Sequence, residues 1–166
     1  MIVCELEPNG DAPWELVRKF GGRFGIFERL KMGGIGSPKL KYLSGSIEID
    51  KFIEETAGSD IPYTNFEYLK KGILVRVNKT QYLKGILISF DEISKISLVT
   101  PQKMLEERNI FGELEKAFYE LPYLKIEFLE EEALVFEVIV QSYNGIKKYF
   151  EKNKWLGEKF ESKIIT

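Results

Sequence analysis

Alternating apolar and polar positions dominate the middle of the chain, in the stretch KGILVRVNKTQYLKGILISFDEISKISLV. Ile73, Val75 and Val77 fall on one side, and Ile86 and Ile88 repeat the spacing after NKTQ, which has the composition of a turn. Because successive side chains of a strand point to opposite faces, this alternation predicts two consecutive strands that each bury one face. The polar step FDEIS then leads into a further predicted strand, KISLV.

A second alternating region lies near the end of the chain. Leu124, Ile126 and Phe128 alternate with polar residues, and the same period returns from Leu134 to Val140. Three consecutive glutamates separate the two runs and suit a solvated turn, so the pattern predicts a hairpin.

Two further strands are predicted over residues 23–32 and 39–50, joined by the loop GGIGSPK. The first segment also fits helical spacing through Phe20, Phe24 and Phe27. Glycine disfavours a helix interior, so Gly25 and the glycines before it favour the strand interpretation.

Helical periods appear in three places. Asp11–Phe20 is predicted to be a short helix with Asp11 as its N-cap, and residues 101–121 carry apolar side chains at helical intervals. An amphipathic helix is predicted to begin near Ser142 and to run to Phe160. The first ten residues of the chain are predicted to be irregular.

These elements predict an α+β fold in a single domain over residues 1–166. Residues 1–22 form an N-terminal irregular segment and short helix, and residues 23–161 form the core, interrupted by a helical insertion at 101–121. The core is expected to be a strongly bent antiparallel sheet of about six to eight strands, capped by the C-terminal amphipathic helix.

The stretch quoted above resembles bacterial members of the pleckstrin-homology-like (PH-like) superfamily, including GRAM-like domains, in its strands, polar step and I-x-x-I strand. The segment VFEVIVQSYNGIKKYFEKN is similar to the last strand and capping helix of such folds. The resemblance implies a partly open barrel and a non-catalytic binding module, whose ligand is a protein partner or an anionic lipid head group. The helical insertion and the N-terminal helix depart from the family pattern.

Composition removes several kinds of chemistry. The chain has no histidine and one cysteine, Cys4, which excludes His-dependent catalytic pairs, His metal ligands and thiolate metal sites. No cofactor or metal is expected. The net charge of -2 argues against nucleic acid as a partner, and no transmembrane segment is expected because no apolar run approaches about 20 residues. The chain is therefore expected to be cytoplasmic, with peripheral membrane contact as an option.

The positive charge of the chain is concentrated near its beginning. Residues 12–41 hold seven Lys or Arg against two Glu. If the GGIGSPK loop joins two strands, its backbone amides together with Arg29, Lys31, Lys39 and Lys41 form a candidate site for a phosphorylated head group. The alternative is a solvated basic rim.

Aromatic residues are interleaved with the same charges, a pattern that suits anionic lipid. Trp14, Arg18, Lys19 and Arg23 are therefore candidates for membrane or partner contact, and a peripheral membrane scaffold is an alternative function. The competing interpretation is a core-packing segment with a charged outer face. A third alternative is a small enzyme that uses carboxylates in a cleft, for which Asp91 and Glu92 are one candidate pair.

Overall fold

A computed structural model describes residues 1–102, 121–130, 132–153 and 156–165. Its strands are β1 (Ile2–Glu5), β2 (Leu40–Ser44), β3 (Tyr63–Leu69), β4 (Gly72–Lys79), β5 (Tyr82–Ser89), β6 (Ile93–Pro101), β7 (Tyr123–Phe128), β8 (Ala133–Glu137) and β9 (Phe160–Ile165). Its helices are α1 (Trp14–Lys19), α2 (Ile26–Lys31), α3 (Ile47–Glu55) and α4 (Tyr143–Glu151), with 3₁₀ turns at Val140–Ser142 and Gly157–Lys159. The predicted insertion at 101–121 lies largely outside the described residues.

The nine strands of this described part form one open sheet in the order β1-β5-β4-β3-β2-β8-β7-β6-β9. Every neighbouring pair is antiparallel except β6 and β9, which are parallel. The α+β class and the mainly antiparallel sheet predicted from the sequence are confirmed. The PH-like arrangement within that class stays a prediction.

Strands β4 and β5 are buried on both faces, which explains their nearly continuous apolar character. Ile73 and Ile88 face the larger core, where they join buried side chains of α4. Leu74 and Leu87 face the other way and pack against a smaller cluster that includes Val17 of α1. The N-terminal segment thus covers the second face of the meander β3-β4-β5.

The predicted strand over residues 23–32 is wrong, because most of this segment is helix α2. The helix begins after Gly25, whose amide donates to the Glu28 carboxylate at 2.6 Å, a capping contact that satisfies an exposed donor. Ile26 and Leu30 fall on one side at strand spacing, which favours a buried strand face in the sequence, but both side chains are exposed on the helix.

The predicted strand over residues 39–50 is only half correct, since β2 ends at Ser44 and α3 begins at Ile47. Gly45 makes this turn, with φ of 116° and a position where a Cβ would lie 1.9 Å from the Ala133 carbonyl oxygen. Tyr42 fixes the start of the helix, because its hydroxyl accepts the Ser46 amide and donates to Asp50, both at 2.8 Å. Ile47 and Ile49, whose spacing in the sequence is that of a strand, therefore lie on a helix.

Both ends of the described chain also differ from the prediction. The first residues form edge strand β1 rather than an irregular segment, and the final helix stops at Glu151, so Phe160 belongs to β9. Asp11 does not cap α1, because the helix begins after Pro13. The Asp11 carboxylate instead accepts hydrogen bonds from Arg23. Within the described ranges, no helix has the length and apolar character needed to cross a bilayer.

Candidate functional site

A cleft among the described residues lies between α2, the glycine-rich loop after it, and α4. It is open to solvent and has a volume of about 850 Å³. We call it the loop–helix cleft. Its floor consists of mostly apolar side chains, and its rim is formed mainly by lysines. The lining residues come from three separate parts of the chain, 24–38, 68–70 and 145–153.

Two stacked tyrosines anchor the floor, beside Phe24 and Met32. The rings of Tyr68 and Tyr149 lie 4.2 Å apart and almost parallel, at 4°. The Tyr68 hydroxyl donates to the Tyr149 carbonyl at 3.1 Å, and the Tyr149 hydroxyl donates to the Ile35 carbonyl at 3.3 Å. Burial raises the pKa of both tyrosines, so both phenol groups are uncharged at neutral pH.

The rim carries Lys31 from α2, Lys70 from the β3–β4 turn, and Lys148 and Lys152 from the end of α4. Its one carboxylate among the described lining residues is Glu28, so the formal charge is +3. Lys70 lies 3.6 Å from Glu28. The other three lysines form no ion pair with any residue in the described part of the chain, and all three are exposed.

The glycine-rich loop shapes the cleft without presenting its first amides to it. Gly33 and Gly34 adopt φ of 69° and 103°, the left-handed region that ends a helix. Their amides donate to the Leu30 and Arg29 carbonyls at 3.2 and 3.1 Å, so these two donors are already engaged within the end of α2. The expected cradle of loop amides therefore lacks them.

A close approach of α4 to the same loop closes one end of the cleft. A Cβ placed on Gly145 would lie 2.5 Å from Cγ of Pro38, which is nearer than real Cβ contacts come. Glycine at this position lets the helix backbone pack directly on the proline ring. The lysines of α4 are thereby brought to the rim opposite α2.

Of the four basic residues predicted around the loop, Lys31 lies in the cleft and the others lie elsewhere. Arg29 turns back to donate to the Phe24 carbonyl at 2.9 Å. Lys39 lines a separate cleft, with its ammonium 5.9 Å from the centre of the Tyr63 ring. Lys41 is 3.5 Å from Glu137 across the β2–β8 pair.

The second predicted group is divided between surface and interior. Trp14, Arg18 and Lys19 are exposed on α1. Arg23 instead donates to both Asp11 oxygens, at 2.6 and 3.1 Å, and lies 3.4 Å from Glu67. The hydrogen bond from Arg23 holds the pKa of Asp11 below its usual value, so this arginine is engaged inside the fold.

Sequence reasoning missed Lys70, Tyr68 and the role of the α4 lysines. The amphipathic pattern near the end of the chain places Lys148 and Lys152 on the polar side of the helix, and both are exposed, but the pattern does not indicate what they face. Their four-residue spacing was a usable signal, since it places both on one side of a helix. Nothing in the local sequence pairs them with Lys31.

Among the described residues that line the loop–helix cleft, no two groups able to support acid–base catalysis come together. Of the proposed carboxylate pair, Glu92 accepts the Ser89 amide at 2.7 Å and pairs with the N-terminal ammonium, at another cleft. Burial raises the pKa of the Cys4 thiol, which lowers its reactivity. Among the described residues, we find no acidic or thiol cluster suited to a metal ion.

Searches of protein-family models, curated proteins and solved structures find no match to this chain.

Proposed function

We propose that this protein is a non-catalytic binding module that holds a phosphorylated head group in the loop–helix cleft. The observation that supports the proposal is the placement of Lys31, Lys148 and Lys152 around one cleft without a carboxylate partner among the described residues. Lysines on an ordinary surface are usually dispersed or paired. Three that converge over an apolar floor suit an anion that binds from solvent.

The physical chemistry of the rim favours phosphate over a single carboxylate. Lysine binds phosphate as a mobile point charge, and several lysines can approach different oxygens of one group. The apolar floor lowers the local dielectric, which strengthens these contacts relative to bulk water. A ligand with more than one phosphate and a ring to lie on the floor would use both features.

The proposal differs from the site predicted around the loop, and paired variants separate the two. Lys148→Gln with Lys152→Gln removes two charges from the rim, whereas Lys39→Gln with Lys41→Gln removes two charges outside it. Both double variants change the net charge equally. We expect the first to weaken binding of inositol trisphosphate about tenfold or more, and the second to change it less than about twofold.

Isothermal titration calorimetry at low and high salt measures both effects. Loss of affinity in both double variants to the same extent would mean that only net charge matters. Loss confined to the Lys39 and Lys41 variant would restore the originally predicted site. Wild-type protein that binds no inositol trisphosphate even at low salt would overturn the proposal.

A protein partner is a second candidate, favoured by edge strand β9. Within the described residues this strand is hydrogen-bonded on one side only, to β6, and Ile164 is 61 % exposed. An extended peptide can add to such an edge through main-chain hydrogen bonds. Replacement of Ile164 by Pro should abolish such an interaction without changing anion affinity, as measured by pull-down with a candidate partner and by titration.

The enzyme alternative draws no support from the loop–helix cleft. Its described lining has one carboxylate, Glu28, which already accepts the Gly25 amide and lies beside Lys70. Acid–base chemistry by two carboxylates needs both within reach of one substrate. We therefore base the proposed function on binding alone.

A further inference from the structure

Helix α2 exposes an unusual amount of apolar surface for a six-residue element. Ile26, Phe27 and Leu30 are 75 %, 81 % and 72 % exposed. At 3.6 residues per turn, their directions span an arc of about 100°, so they form one apolar edge. Three large side chains on one short helix indicate a surface that meets something apolar.

This apolar edge borders the loop–helix cleft. Lys31 follows Phe27 by four residues and projects next to it on the helix, and it also lines the cleft. Glu28 and Met32 of the same segment also line the cleft, on the side of α2 that faces away from the apolar edge. An apolar edge and a lysine rim are thus presented by a single rigid element.

We propose that α2 docks the protein on an anionic bilayer, with Ile26, Phe27 and Leu30 inserted at the lipid interface and the cleft holding the phosphorylated head group of a lipid in the same membrane. This inference rests on the proposed function of the cleft. It moves the membrane contact from Trp14 and the basic residues of α1 to α2.

Charge favours a bilayer over a second copy of the chain as the occupant. A two-fold contact through α2 would place two clefts, each with a formal charge of +3, close to each other. An anionic bilayer offers the opposite charge beside an apolar layer, which matches both parts of the surface. Shallow apolar insertion and electrostatic attraction are each weak and together give stable binding.

Removal of the apolar edge tests the inference without touching the cleft. The double variant Phe27→Ser with Leu30→Ser keeps every lysine of the rim. Ile47→Ser is the matched control, because Ile47 is 88 % exposed on α3 and is not among the cleft residues. All three changes are at exposed side chains, so melting temperatures should stay within a few degrees.

Sedimentation with phosphatidylcholine vesicles, with and without a phosphorylated phosphatidylinositol, gives the main readout. The Phe27 and Leu30 double variant should bind phosphoinositide vesicles about tenfold or more weakly than wild type, because two apolar side chains no longer enter the bilayer. Its affinity for soluble inositol trisphosphate should be unchanged. The Ile47→Ser control should match wild type in both assays.

A fluorescence measurement locates the insertion directly. Phe27→Trp should show a blue shift when phosphoinositide vesicles are added, relative to wild type, whereas Ile47→Trp should show none. Unchanged vesicle affinity of the Phe27 and Leu30 double variant would overturn the inference while leaving head-group binding intact. The inference would also be overturned if the wild type self-associates and the Phe27 and Leu30 double variant does not. Failure of the proposed function itself would appear separately, as absent binding of soluble trisphosphate by the wild type.

Discussion

Two basic regions of this molecule carry similar side chains and have opposite surroundings. Beside the N-terminal segment, Arg23 and Arg76 are bound to Asp11 and Glu67 in what we call the ion-pair network. In the loop–helix cleft, Lys31 and the two rim lysines at the end of α4 have no carboxylate partner among the described residues. The difference shows that positive charge by itself does not indicate a binding site, because paired arginines fasten the fold.

The ion-pair network joins the N-terminal segment to the sheet. Arg76 of β4 binds Glu67 of β3 and donates to the Gly10 carbonyl at 2.7 Å. Glu67 is buried, and Arg23 approaches its other oxygen. The two lysines that the end of α4 contributes to the cleft rim form no ion pair with a described residue, so their removal should alter binding much more than stability.

Removal of Glu67 should have the largest effect on stability. Glu67→Ala leaves two mostly buried arginines without this partner, and we expect a loss of about 3 kcal/mol in the free energy of unfolding. Urea denaturation measures the loss. Glu55→Ala, which breaks an exposed pair with Lys51, is the control and should change stability by less than about 0.5 kcal/mol. Equal losses would remove the distinction between buried and exposed pairs.

Gly145→Ala tests the close contact between α4 and the loop. Replacing glycine by alanine inside a helix normally raises the free energy of unfolding by about 1 kcal/mol. Here, however, the added Cβ would meet the Pro38 ring. We expect a net loss of about 1–2 kcal/mol and a weaker affinity for inositol trisphosphate. Asn144→Ala, at an exposed neighbouring position, should lack both effects. A stabilised Gly145→Ala variant with normal affinity would contradict the contact.

Asp11→Asn should destabilise the protein by about 1 kcal/mol at neutral pH, a modest value because this carboxylate is partly exposed. The Arg23 hydrogen bond lowers the pKa of Asp11 in the folded state. The stabilisation is thus present above the unfolded pKa of about 3.9 and is lost as pH falls through the lower folded value. Denaturation at several pH values should show wild type and variant converging in acid. A pH-independent gap would show that charge is not involved.

Glu28→Gln should give the smallest effect, and it should strengthen ligand binding, whereas the other changes weaken stability or binding. The amide can still accept the Gly25 N–H, but the cleft loses its one described carboxylate and Lys70 loses a partner. We expect affinity for inositol trisphosphate to rise about threefold at low salt and the gain to shrink at high salt. A lower affinity would mean that Glu28 itself contacts the ligand.

The local pattern of apolar and polar residues was sufficient to identify a strand where that strand packs one or both faces in a core. Alternation over β4, β5, β7 and β8 identified these strands because buried and exposed positions repeat every two residues. It failed at α2, where exposed apolar residues imitate a buried strand face. It also failed at α3, where Gly45 turns the chain between two isoleucine-containing segments.

The site was predictable only in part. The glycine-rich loop and Lys31 belong to the site predicted from the sequence, and both border the loop–helix cleft. Arg29, Lys39 and Lys41 were grouped with them by closeness along the chain. Their side chains diverge because α2 turns Arg29 inward, and β2 presents Lys41 to Glu137.

By itself, the sequence determined the α+β class, the strands of the central meander and the absence of histidine chemistry, because these follow from local periodicity and composition. Only the tertiary structure decided which charges are paired and which surround a cleft. Lys31, Lys70 and Lys148 are far apart along the chain, and they meet because β3 and α4 pack on one core while Gly145 allows α4 to reach the loop. Such convergence depends on long-range packing, which no short stretch of residues specifies.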